Sequence, residues 1–223
     1  MLPRAPRRIW GECMNPPLNT EQPVHGRRHR GKRYDPVWRA AEPYLRARKN
    51  DVHVPISFAF GERLLTLYAK ANEDVVLLAI MLHDIGWHSF DMADIVDKGF
   101  GPGGMQSDIR VLHEKEGVRL ACEVLRKTGW SEGIIAAVAA IIDGHDTRPR
   151  SRTLEERLVR DADKLWRYTT TGVAVACDWF RKTPHQYAEQ LEAEIMLIET
   201  DVARKMAGEC LGRTRAELLL HVI

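Results

Sequence analysis

From residue 35 onward, apolar positions recur at three- and four-residue spacings, and the residues between them are those that start and stop helices. Asp35-Pro36 reads as an N-cap with proline at the first helical position, opening a helix to roughly Arg48 that Pro43 should kink. A second helix follows Pro55 and carries Phe58, Leu64, Leu65 and Tyr68. Asn72-Glu73-Asp74 caps a third, Val75 to Asp84, which is apolar nearly all round and so belongs at the centre of a fold. Gly99 to Gly104, with four glycines and a proline, reads as a loop able to approach a ligand closely. A fourth helix is predicted over Asp108 to Lys127, stopping at Gly129, and Ser131 caps a fifth that ends near Gly144.

Three capping boxes mark further helix starts: Thr153 with Glu156, Thr183 with Gln186, and Thr214 with Glu217. Leu154, Leu158, Ala162 and Leu165 continue the first, and Leu191, Ile195, Ile198 and Val202 continue the second as one long amphipathic helix. No alternating run with a hairpin turn competes with this reading. The expected class is all-α, as a single domain over residues 34–223.

Composition narrows the picture. In 223 residues, 44% hydrophobic and 29% charged positions exclude a wholly disordered chain, and no apolar run reaches the roughly 18–20 residues that a membrane span needs. Cys13, Cys122, Cys177 and Cys210 lie far apart without a CxxC pair, as thiols of a reducing, cytoplasmic compartment would. The net charge of +2 hides an asymmetry: residues 1–33 hold eight basic against two acidic residues, whereas the remaining 190 hold 25 against 29. That proline-punctuated basic arm reads as a poorly ordered leader without the apolar core of a secretory signal. It has no aromatic stacking pattern beyond Trp10, which argues against nucleic acid as the partner.

Candidate chemistry sits in the histidines. His83-Asp84 ends the buried helix Val75–Leu82, and burying two ionisable groups there costs several kcal/mol unless something compensates. A cation does so. Imidazole with carboxylate suits Zn, Fe, Mn, Ni or Co, and the absence of thiolates argues against a purely structural zinc site.

The run Leu82-His83-Asp84-Ile85-Gly86 after an apolar helix resembles the signature of the HD superfamily of metal-dependent hydrolases: one His, the His-Asp pair, then a distant Asp. The resemblance implies that His53, His83, Asp84 and Asp163, the last in Asp161-Ala162-Asp163-Lys164-Leu165, are metal ligands. His113, in His-Glu-Lys-Glu-Gly, and His145, after Ile141-Ile142-Asp143-Gly144, are similar to the two extra histidines of the branch that binds two metals. In that arrangement Asp84 would bridge the ions and act as the catalytic carboxylate. The implied cofactor is one or two divalent transition-metal ions. The implied activity is hydrolysis, by a metal-activated water, of a nucleotide or other phosphate ester, a small phosphorylated molecule. Lys164 and Arg167 beside Asp163, together with Arg148 and His88, are candidate substrate contacts; Arg110 and Arg152 offer further guanidinium forks.

One departure points elsewhere. Many hydrolase members resemble Leu-His-Asp-Ile-Gly-Lys here, and this chain has Trp87 in the lysine position. Dinuclear iron oxygenases of the same superfamily, resembling inositol oxygenase and the phosphonate-cleaving enzymes, use essentially the same six ligands. A non-catalytic regulatory HD domain is a third reading, and it predicts a degraded ligand set. An oligomer is compatible with all three.

Overall fold

The computed structural model describes residues 27–91, 95 and 108–220. The expected loop at Gly99–Gly104 and the leader up to residue 26 lie outside the described residues. Two units are distinguished, Met1–Arg33 and Tyr34–Ile223. The described part of the first is helical and belongs to α1 (Arg27–Ala41). The second contains the remaining elements: α2 (Asn50–Leu65), α3 (Glu73–Leu82), α4 (Asp108–Lys127), α5 (Glu132–Ile142), α6 (Leu154–Leu165), α7 (Thr170–Phe180), α8 (Pro184–Glu194) and α9 (Asp201–Leu220). Short 3₁₀ turns at 42–44, 47–49, 85–89, 166–168 and 195–197 join them, and no strand occurs among the described residues. The fold is all-α, as the periodicity predicts.

Helix α3 is the axis of the core. Asn72 caps it by accepting from the Val75 amide at 3.2 Å, and all eight residues from Val75 to Leu82 are buried. An apolar surface on every side leaves no face for water, so α2, α5 and α6 surround it. Burying each of its larger side chains contributes roughly 1.5–3 kcal/mol. Beyond α3, the turn Ile85–Ser89 lies against α4 at very short range: a Cβ on Gly86 would stand 2.0 Å from the His113 carbonyl oxygen. Only glycine permits that approach, which brings α4 to the end of α3.

Several expected boundaries are corrected. The first helix does not start at Asp35 or run to Arg48; Pro36 lies inside α1, and the chain leaves the helix through two 3₁₀ turns, with Arg48 and Lys49 both left-handed at φ 56°. Pro55 lies inside α2, which starts at Asn50. The long helix expected through Val202 is broken at residues 198–200, because the buried Asp161 carboxylate accepts from the amides of Glu199 (2.7 Å) and Thr200 (2.9 Å) and holds them in a turn. Thr214 starts no helix; it lies within α9, where its hydroxyl donates to the Tyr168 carbonyl at 2.8 Å. Helix α7, capped by Thr169 on the Gly172 amide, has no counterpart in the sequence reading.

Candidate metal centre

Six residues from five helical segments converge at the end of α3. His53 comes from the first turn of α2, His83 and Asp84 from the C-terminus of α3, His113 from α4, His145 from just past α5, and Asp163 from α6. Together with Asp146 they form three overlapping groups, each with potential ligand atoms within 4.8 Å of one another: His53, His83 and Asp163; His83, Asp84 and His145; and His113, His145 and Asp146.

A common local device aims two of the imidazoles. Both helices ending here leave carbonyls without an intrahelical donor. His83 Nδ1 pairs with the Ile80 carbonyl at 2.9 Å, and His145 Nδ1 pairs with the Ile142 carbonyl at 2.9 Å. Each bond puts a proton on Nδ1, so that in the neutral imidazole the lone pair is on Nε2, facing inward. His83 Nε2 is buried without a hydrogen-bond partner, 3.3 Å from Asp163 Oδ1 and 3.6 Å from Asp84 Oδ2. His145 Nε2 lies 3.4 Å from Asp84 Oδ1 and 3.5 Å from His113 Nε2. His53 pairs through Nε2 with Asp163 Oδ1 at 2.8 Å and through Nδ1 with Asn50 Oδ1 at 3.3 Å, stacking on Trp166.

Asp84 is divided between two sides. Its Oδ2 faces His53 (3.4 Å), His83 and the Arg48 guanidinium (3.3 Å), whereas its Oδ1 faces His113 (3.7 Å), His145 and the Trp87 indole N–H (3.0 Å). Arg48 is held between Trp87 and Trp179, 5.3 Å from each ring centre.

The electrostatics are those of a site that attracts cations. Burial alone would raise the Asp84 and Asp163 carboxyls, but the histidines around both, and Arg48 beside Asp84, hold them well below the usual range. Burial pulls the His145 imidazole down, yet Asp146 and Asp84 outweigh it and push the group up to about 9. His113, desolvated and facing His145, is pushed down to about 3. A buried, partnerless Nε2 beside carboxylates, with a second inward lone pair nearby, is a donor set that fits a divalent transition metal.

The other expected contacts separate. Lys164 and Arg167 line a cavity of about 840 Å³ that reaches His145, Asp146 and Asp163. Burial and the neighbouring Arg160 and Arg167 lower the Lys164 ammonium, which donates to the Leu197 carbonyl at 2.8 Å. His88 is exposed, edge-on to Tyr44, and does not line the cavity. Arg148 is also outside its lining: the guanidinium is committed to the buried Glu156 carboxylate and the carbonyls of Asp143 and Ala140. Arg110 holds Asp146 Oδ2 at 2.7 Å.

Asp146, Arg48 and Glu114 are the residues that sequence reasoning missed. Asp146 Oδ2 lies 3.8 Å from His113 Nε2, and its signal was a second His-Asp dipeptide, His145-Asp146, repeating His83-Asp84. Glu114 fixes this turn by accepting from the amides of Asp146 (2.8 Å) and Thr147 (2.9 Å) and from the Thr147 hydroxyl (2.6 Å). For Arg48 no signal existed, since its position depends on the left-handed turn before α2.

Comparison with curated proteins and with solved structures gives no match. Among protein families, the HD domain matches residues 56–167, half of the chain, a span that includes five of the six convergent residues and stops short of His53. With the all-α fold and the His-Asp cluster at the end of α3, this match identifies the chain as a member of the HD-domain family, which is of the metal-dependent phosphohydrolase type.

Proposed function

We propose that the protein hydrolyses a nucleotide or other small phosphate ester, with His53, His83, Asp84, His113, His145 and Asp163 holding one or two divalent transition-metal ions. The observation that carries this reading is the charge of the cavity beside the cluster. Arg48, Arg110, Arg150, Arg157, Arg160, Lys164 and Arg167 line it, against four carboxylates. Arg157, Arg160, Lys164 and Arg167 follow one another at spacings of three and four, so α6 and the turn after it present one basic stripe that passes beside Asp163. Such a wall attracts an anion to the cluster and orients it.

A bound divalent ion lowers the pKa of water toward 7 and neutralises charge on phosphoryl oxygens. The residues of the chain do the rest. Asp84, with one oxygen toward each pair of histidines, would help to hold the ion or ions and would accept a hydrogen bond from the attacking water, while Trp87 and Arg48 restrain those oxygens. Lys164 and the arginines of the stripe hold the substrate's phosphoryl oxygens in place. The deciding experiment is release of inorganic phosphate from nucleotides and phosphate monoesters by protein loaded with Mn, Co, Ni, Zn or Fe. Turnover that disappears in Asp84→Asn is expected, and no release with any metal would refute the hydrolase reading.

A second reading, a dinuclear iron oxygenase, is favoured by Trp87. It is fully buried, with its indole on Asp84, so the position that would offer an ammonium to a phosphate offers none here. Two irons per chain with a mixed-valent signal, and oxygen uptake with phosphonates or polyols, would select it over hydrolysis.

A further inference from the structure

The metal centre contains the same local construction twice. In Ile80-Met81-Leu82-His83-Asp84 and in Ile142-Asp143-Gly144-His145-Asp146, a histidine sets its Nδ1 on the carbonyl of the isoleucine three residues before it, at 2.9 Å in both, and an aspartate follows. A guanidinium meets each aspartate: Arg48 stands 3.3 Å from Asp84 Oδ2, and Arg110 stands 2.7 Å from Asp146 Oδ2. Only the first of the two aspartates belongs to the six convergent residues.

Without the second, the two sides of the centre are unequal. His53 and His83 have Asp163 to themselves and share Asp84, whereas His113 and His145 have only the Asp84 oxygen that faces them. Asp146 restores the balance. Its Oδ2 lies 3.8 Å from His113 Nε2, and with His113 and His145 it forms a group as close-set as His53, His83 and Asp163, all potential ligand atoms lying within 4.8 Å of one another. The bond to Arg110 does not use Asp146 up, because a carboxylate oxygen has two lone pairs and its partner oxygen two more. Nor does the side chain hang from a loose loop. Glu114 holds the amides of Asp146 and Thr147 at 2.8 and 2.9 Å, and Asp146 lines the cavity, where an ion can reach it.

We infer that Asp146 is a seventh ligand, the terminal carboxylate of a second ion held by His113 and His145. The centre then consists of two sites, each of two imidazoles and one carboxylate, with Asp84 between them. Such a donor set leaves coordination positions open on each ion and suits iron and its divalent neighbours. The inference rests on the metal-holding part of the proposed function and is the same whether hydrolysis or oxygenation follows.

The test uses cobalt(II) alone as the probe, on the full chain, with circular dichroism to confirm the fold of each variant. The unaltered protein is expected to take up two ions. In Asp146→Asn, which keeps the shape of the side chain, competition against a chelator should show one ion weakened by at least about tenfold and the other unchanged. Asp146→Cys separates a ligand from a residue that only orients His113 or Arg110. A thiolate at position 146 should give a sulfur-to-cobalt charge-transfer band in the near ultraviolet, absent from the unaltered protein with its four cysteines. Two ions bound by Asp146→Cys without that band would overturn the inference, as would unchanged affinity for both ions in Asp146→Asn. A single ion at saturation in the unaltered protein would also overturn it, while leaving a one-metal hydrolase standing. If the unaltered protein binds no ion, the metal-dependent reading falls and the seventh ligand falls with it.

Discussion

The indole of Trp87 lies face to face with the imidazole of His113, ring centres 3.9 Å apart and planes 12° from parallel. The same indole donates to Asp84 Oδ1 at 3.0 Å, so a single buried side chain sets the orientation of two metal-ligand candidates. Trp87→Phe keeps an aromatic face and removes the donor. Its metal affinity should fall by about tenfold, the size typical for a lost partner behind a ligand, with the helical fold retained. Competition against a chelator, with circular dichroism on the same sample, checks this. Trp87→Ala should instead destabilise the fold by about 3–5 kcal/mol, because it empties a fully buried site.

The division of Asp84 between two histidine pairs makes a prediction about stoichiometry. Asp84→Asn should retain the helical content and lose essentially all metal. His53→Ala and His113→Ala should each remove one of two ions, on opposite sides of the carboxylate. Elemental analysis of the purified variants decides the matter, and a common loss of all metal from every variant would favour a single ion.

Proton and metal compete for the same cluster. In the metal-free protein His145 is pushed up to about 9 from an ordinary 6.5, so its stabilising contribution is complete below pH 6.5 and is lost as the pH rises toward 9. His113, pushed down to about 3, acts in the opposite sense: stability is lost as the pH falls below 6.5, where the unfolded chain takes up a proton that the folded one refuses. The metal-free Tm should therefore be highest near pH 6.5. Metal binding displaces the His145 proton, so the gap in Tm between metal-loaded and metal-free protein should widen from pH 6.5 to 9. Thermal melts across that range, with and without metal, measure it.

Arg148 is expected to matter for stability rather than turnover. Its guanidinium neutralises Glu156, a carboxylate 2% exposed, and satisfies the carbonyls at the end of α5. Arg148→Ala leaves that buried charge without its main partner and should cost about 3 kcal/mol, seen as a lower Tm at unchanged kcat.

Local chemistry made much of this protein legible. The Asn72, Ser131, Thr153 and Thr183 caps each accept the amide that their spacing implies, and the uniformly apolar run Val75–Leu82 could only be central. The resemblance to the HD superfamily, carried by short motifs in the same order, picked out His53, His83-Asp84, His113, His145 and Asp163, which the fold gathers at one helix end. What escaped was set by partners distant in the chain. The periodicity of Leu191–Val202 is genuine, but Asp161 breaks that helix from 38 residues away. Thr214 and Glu217 have capping-box spacing yet serve Tyr168 and Thr170 across helices. Arg148 looked like an anion clamp because nothing in its neighbourhood reveals that Glu156 would be buried beside it.

Asp161, which ties the turn at Glu199–Thr200 to α6, stands two residues from Asp163. The elements that contribute Trp179, Phe180 and Tyr187 to the cavity lining, from α7 to the turn after α8, lie beyond the stretch matched by the family and are fastened to the helix that carries Asp163 at this clasp. The cavity is therefore built from two parts, a family-matched part with the His-Asp cluster and a back plate clipped onto it. Altering residues 170–197 other than Trp179, which holds Arg48 beside Asp84, offers a route to reshaping the cavity while the His-Asp cluster is left as it stands, provided the clasp is kept.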